Sequence, residues 1–182
     1  MIMASAIMGA CATPASVGNV STPPQIVQEA PPPPPAYQPF IEKSNPKIPK
    51  AEAERLARLI EAVATKKGIP PDLMFAIVRQ ESHFRTGLKA CRVYGIIRRC
   101  DYGIAQVNSF WIDELELDAN RLRNDDEYNL NVAADILKGV LDRHGKEGRF
   151  AYSYYNTSDP ELRVVYQTMI ERHRKVAVAT RN

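Results

Sequence analysis

Residues 71–84 carry an acid at a position where helical periodicity asks for a hydrophobe. Pro71 suits the first turn of a helix, Asp72 suits its positive end, and Met74, Ile77 and Val78 recur at the spacing of one helix face. Glu81 falls four residues after Ile77 and three after Val78, so it continues the stripe. A carboxyl on an apolar face loses hydration, which disfavours its ionised form and raises its pKa. Shifted to about 6, such a group remains a proton donor near neutral pH. The alternative is a helix-end Glu81 turned to water, or paired with Arg79 or Arg85. Periodicity alone leaves both open.

The pattern around this helix predicts a mainly helical domain. Leu56, Leu59, Ile60 and Val63 give an amphipathic helix over 51–67 with Gly68 as its stop. Gly87, Gly95 and scattered Arg and Lys break the periodicity over 85–100, which reads as a loop or small β-excursion. Ser109 to Leu117 reads as a short helix carrying Trp111. A longer helix at about 126–144 places Leu130, Ala133, Ala134, Leu137, Val140 and Leu141 on one face and ends at Gly145. An aromatic segment, Phe150 to Asn156, follows, and Pro160 opens a last helix through about Lys175. Residues 50–182 thus form one domain of roughly 130 residues, enough for its own core.

What precedes that domain has a different composition. Eleven of the fourteen prolines lie before residue 50, including Pro31 to Pro35. Residues 12–49 show few large apolar groups and no periodicity, so they are expected to be a disordered linker. The five consecutive prolines favour an extended, semi-rigid spacer, although a Pro-rich docking ligand fits the same composition. Residues 1–10 are apolar and end in small residues just before Cys11, so residues 1–11 resemble a short export signal. Met8-Gly9-Ala10-Cys11 is a loose form of the bacterial lipoprotein box, which would attach the chain to a membrane through Cys11. Ala10-Cys11-Ala12 fits ordinary cleavage equally, and no Lys or Arg precedes the apolar run. That run is far shorter than the roughly 20 residues that span a bilayer.

The net charge of +3 is too small to argue for nucleic acid as a partner. There is no His-Glu-x-x-His, no phosphate-binding glycine loop and no serine-nucleophile motif, and no cofactor is expected.

Four short motifs stand in order along the domain: Glu81-Ser82, then Tyr102-Gly103-Ile104-Ala105-Gln106-Val107-Asn108, then Asn129-Leu130, then Tyr155-Asn156. Together they resemble the soluble lytic transglycosylase (SLT) family, particularly its small exported members associated with secretion, conjugation and pilus systems. The segment Asp101 to Ser109 is also similar to the matching stretch of c-type lysozymes, which share the fold. The resemblance implies an α+β, lysozyme-like fold and cleavage of the β-1,4 bond between N-acetylmuramic acid and N-acetylglucosamine in peptidoglycan. It implies a periplasmic setting, glycan strands as partner and an envelope-spanning machine as the beneficiary.

Carried over, Glu81 would protonate the leaving oxygen and then, as base, take the proton of the muramyl C6 hydroxyl, closing a 1,6-anhydro ring. Ser82 would orient Glu81 or the acetamido side of the substrate. Gln106 and Asn108 would bind the sugars beside Tyr102 and Asn156, and Gly103 would let the backbone approach the glycan. Tyr155 would lie over Glu81 and steer it with its hydroxyl. Asp101 matches the second carboxylate of the lysozymes, which many transglycosylases lack; a turn-capping role is its alternative. The chain departs from the family at Ala105, where Met is usual, at Ala133, at Thr157-Ser158, and in lacking the Asn-Pro pattern after the acid.

Export would favour a disulfide between Cys91 and Cys100, bracing the edge of the cleft. A zinc site made from these two and His83 lacks the usual close cysteine pairs, so no metal is expected. Trp111, Tyr152 and Tyr154 suit either sugar stacking or the core. Arg172 to Lys175 reads as a solvated helix end.

Overall fold

The computed structural model describes residues 33–148 and 150–181. The chain runs through α1 (Gln38–Ser44), α2 (Lys50–Lys67), α3 (Pro71–Ser82), β1 (Lys89–Tyr94), β2 (Ile97–Tyr102), β3 (Val107–Asn108), α4 (Ser109–Glu114), α5 (Ala119–Asn124) and α6 (Asp126–His144). Two 3-10 turns, Gly145–Glu147 and Ala151–Tyr155, lead to α7 (Pro160–Ala179). This is the α+β, lysozyme-like arrangement expected: a helical core with a small antiparallel sheet of order β1-β2-β3.

Every residue from Leu73 to Val78 is buried, so α3 is apolar all round and runs through the core instead of along the surface. Leu56 and Ile60 of α2, Leu130, Ala134 and Leu137 of α6, and Ile170 of α7 pack into the same core. Helix boundaries follow local chemistry. Gly68 ends α2 in the left-handed conformation at φ 66°, as a C-cap glycine does. Pro71 occupies the first turn of α3, where its missing N–H costs nothing. Helix α5 was not anticipated; Asp118 caps it through the amides of Asn120 and Arg121. Helix α7 runs past Lys175 to Ala179.

The expected disordered linker over 12–49 is corrected at its C-terminal end. Residues 33–49 are ordered, and Tyr37, Phe40 and Ile41 are almost wholly buried. Tyr37 stacks on Phe75 of α3 with ring centroids 4.3 Å apart, and Phe40 meets Phe84 edge-on at 5.7 Å. Pro39 lies in the first turn of α1, where the proline that had argued for disorder is tolerated. Three large apolar groups outweigh the proline content. The expected export signal, and the linker up to residue 32, lie outside the described residues.

The 85–100 excursion is a hairpin. β1 and β2 pair antiparallel from Lys89↔Tyr102 to Tyr94↔Ile97. Cys91 and Cys100 face each other in this register and form the expected disulfide. In the chain-entropy view a ring this short contributes about 2–3 kcal/mol.

Candidate active site

Glu81 sits in the last turn of α3, and the two residues that follow the helix turn the chain sharply. His83 and Phe84 both adopt positive φ, 56° and 59°. For a bulky residue such as Phe84 this conformation is strained, and strain persists only where packing over-determines it. The Phe84 ring is buried against Phe40 and Phe75, so α1 helps hold the turn that ends the helix at Glu81.

The carboxyl opens into a cleft of about 660 Å³ between the helices and the sheet. Gln80, Glu81, Asp101, Gln106, Asn108 and Trp111 contribute to its wall. Burial raises the Glu81 carboxyl to about 7; the nearby Asp101 pushes the same way, while the Tyr166 hydroxyl and the positive charge of Arg92 oppose it. The alternative of a surface Glu81 paired with Arg79 or Arg85 is set aside by this placement.

The hydroxyl on the acid comes from an unexpected residue. Tyr166 of α7 donates to Glu81 Oε1 at 2.8 Å. Tyr155, the expected partner, instead donates to the backbone carbonyl of Ala105 at 3.0 Å, although it lines the same cleft. Burial, and then the charge of Glu81, holds both phenols well above their ordinary value, so both remain donors. Tyr166 lies on the buried face of α7 with Ile170 and Ala177, a spacing that reads as core. Its one sequence signal is a hydroxyl on an otherwise apolar face.

Asp101 stands at the end of β2 with its side chain toward the cleft, and Asn108 Nδ2 donates to its Oδ1 at 2.6 Å. Asn108 also caps α4 through the amide of Phe110. Its amide side chain thus positions Asp101 and α4. Gln106 faces the cleft from a positive φ of 50°, with Nε2 held by the Gly103 carbonyl at 2.7 Å. Asn156 lines the same cleft.

Three expected binding residues do not reach the cleft. Ser82 is fully buried and its hydroxyl donates to the Val78 carbonyl, because one helical step carries it away from the face of Glu81. Tyr102 lies under Lys89, whose Nζ is 4.9 Å from its ring centroid, and offers its backbone carbonyl to Asn129. Gly103 serves the interior: a Cβ there would stand 2.1 Å from the Leu122 carbonyl oxygen and 2.4 Å from Asn129 Nδ2. Asn129 is wholly buried and donates to the carbonyls of Tyr102 and Leu122 while accepting from the amide of Ala105. Ala105 is therefore clamped at its N–H by Asn129 and at its carbonyl by Tyr155, and its side chain is buried rather than forming a cleft wall.

Tyr152 is buried with its hydroxyl on Glu171, whereas Tyr154 and Trp111 line the cleft. The zinc reading loses both sulfur ligands to the disulfide. The segment Arg172 to Lys175 is not simply a solvated end. Arg174 pairs with Asp72 at 2.7 Å, and His173 meets Gln80 Oε1 at 3.1 Å, fastening α7 to α3 beside the acid. Burial, and then Arg79, lowers His173 to about 4, so it is neutral near pH 7.

The arrangement offers one carboxyl that titrates near neutral pH, a hydroxyl that orients it, a second carboxyl in the same cleft and amide side chains along the walls. Residues 58–174 match the family model described as the transglycosylase SLT domain. No curated protein matches the chain.

Proposed function

The chain belongs to the transglycosylase SLT family, whose members are lytic transglycosylases acting on peptidoglycan, and on that premise we propose that Glu81 is its acid–base group. The observation that carries the proposal is the Glu81 carboxyl at the cleft floor, raised to about 7 by burial and tied to Tyr166. A carboxyl titrating there is present in both forms near neutral pH, as a group that first gives and then takes a proton must be.

In the forward step Glu81 gives its proton to the glycosidic oxygen between N-acetylmuramic acid and N-acetylglucosamine as the C1–O bond breaks. The carboxylate so formed then takes the proton of the muramyl C6 hydroxyl while O6 bonds to C1. The products are a free 4-hydroxyl and a 1,6-anhydro end, and Glu81 is protonated again. Tyr166 limits the rotation of the acid, and Asp101 offers negative charge near the cationic centre that develops at C1. Gln106, Asn108, Tyr155 and Asn156 are assigned to sugar binding or to shaping its walls.

Digestion of sacculi by the full chain, followed by mass spectrometry, tests this reading. Anhydro ends are expected, with none formed by Glu81→Gln. Reducing ends would transfer the reaction to a hydrolytic muramidase, the reading that Asp101 in the same cleft favours. Sacculi bound but not cleaved would leave a non-catalytic wall-binding assembly protein.

The wall substrate and the disulfide support a periplasmic site of action, with residues 1–11 as export signal and residues 12–32 as spacer. Mass measurement of the mature N-terminus separates lipidation at Cys11 from simple cleavage. The likeness to small exported members supports local wall opening for a secretion, conjugation or pilus apparatus. A deletion strain that grows normally but fails to assemble such an apparatus is the expected result; normal assembly would overturn this assignment.

A further inference from the structure

We propose that Arg92 and Arg99 form a carboxylate-binding site at the lip of the cleft, which grips the peptide substituents of the glycan strand. The inference rests on the glycan reading above.

The two arginines are direct cross-strand partners in the β1–β2 hairpin. Residues opposite one another in an antiparallel pair project from the same face, and that face alternates along each strand. The neighbouring pair two residues away, Ala90↔Asp101, shares the face, and all four residues line the cleft that holds Glu81. The disulfide, one register step away, projects from the opposite face.

Like charges placed directly opposite each other destabilise a strand pair. Neither arginine forms an ion pair with a described residue. Residues 85 to 100 hold Arg85, Lys89, Arg92, Arg98 and Arg99 and no acid, and the one carboxyl of the hairpin, Asp101, is taken by the Asn108 side chain. Arg99 is further fixed by lying 5.7 Å from the Phe110 ring centroid, in the same cleft wall. Folding thus crowds two guanidinium groups without a close ion-pair partner into the wall of a cleft that also holds Glu81 and Asp101.

An anionic group bound between them removes the repulsion and fits the guanidinium fork. The backbone sugars of peptidoglycan carry amides and hydroxyls; its carboxylates belong to the peptides attached to the lactyl groups. A bound carboxylate also neutralises Arg92, one of the charges that oppose protonation of Glu81. The site would therefore make the enzyme read peptide-bearing strands differently from bare ones.

The test compares kcat/KM of the full chain on soluble uncrosslinked peptide-bearing strands and on the same strands stripped by an amidase. The wild type should prefer the peptide-bearing strands by about tenfold or more, the magnitude of one charge-assisted hydrogen bond. In R92Q/R99Q the ratio should fall close to one, with the loss carried by KM. Equal kcat/KM on both substrates for the wild type, or an equal loss on both in the variant, overturns the site. Should the double variant not fold, Arg92→Gln alone is put to the same ratio. If the wild type cleaves neither substrate, the catalytic reading fails separately. The fluorescence of Trp111, the one tryptophan and a cleft residue, then reports the binding ratio for the same two materials.

Discussion

The hydroxyl of Tyr166 on α7 donates to the carboxylate oxygen Oε1 of Glu81 on α3 at 2.8 Å, across 85 residues of sequence. This contact joins the central helix α3 to the last helix of the domain at the carboxyl buried in the cleft. Tyr166→Phe keeps the packing and removes the hydroxyl. The hydroxyl favours the ionised form of Glu81, so its loss should move the alkaline limb of the pH–rate profile upward. Activity at the optimum should fall about tenfold because the acid loses its orienting bond. A pH–rate series on the variant checks both; a limb that stays in place would show that the bond does not act on the acid.

Glu81→Gln should abolish anhydro-end formation, a loss of roughly 100- to 10,000-fold by analogy with other acid–base groups. It should also change how stability responds to pH. The native carboxyl holds its proton up to about 7, against 4.5 when unfolded, so the folded state binds more protons in that window. Stability of the wild type therefore falls as pH rises from 4.5 through about 7, by up to about 3 kcal/mol. Urea titrations at pH 5 and pH 8 should show that fall in the wild type and a smaller one in the variant.

Asp101→Asn separates one carboxyl from two. The charge of Asp101 helps raise Glu81, so the substitution should move the alkaline limb toward lower pH. Anhydro products should persist at a several-fold lower rate if Glu81 acts alone. Product analysis by mass spectrometry decides, and loss of all cleavage would assign Asp101 a direct part in the reaction.

Asn129→Ala leaves a buried amide, a buried carbonyl and a half-buried one without their partner. The cost should be about 3 kcal/mol or more in urea denaturation. Gly103→Ala should be at least as damaging, since φ is 73° and the new methyl meets the Leu122 carbonyl. Both variants should lose stability as well as activity, which distinguishes this clamp from the cleft residues.

The local plan of the chain was legible because it rests on short-range chemistry. Gly68 ends a helix, Pro71 begins one, and Val78 and Glu81 share a helix face whatever surrounds them. The motif order singled out Glu81 as the candidate acid, together with Asp101, Gln106 and Asn108, which line its cleft. Adjacency in sequence misled at Ser82, which helical rotation turns into the core, and proline content misled at Tyr37 and Phe40.

By itself, then, the sequence determined the long helices α2, α3, α6 and α7 and the family, and it singled out Glu81 as the candidate acid, since each is written in spacing over a few residues or in ordered motifs. Only the tertiary structure decided that Tyr166 rather than Tyr155 holds Glu81, that Asn129 and Gly103 serve the interior, and that Arg92 and Arg99 share the cleft. Those outcomes depend on how α7 crosses α3 and how β1 registers on β2. Such geometry is set by packing of the whole core, and no local spacing encodes it.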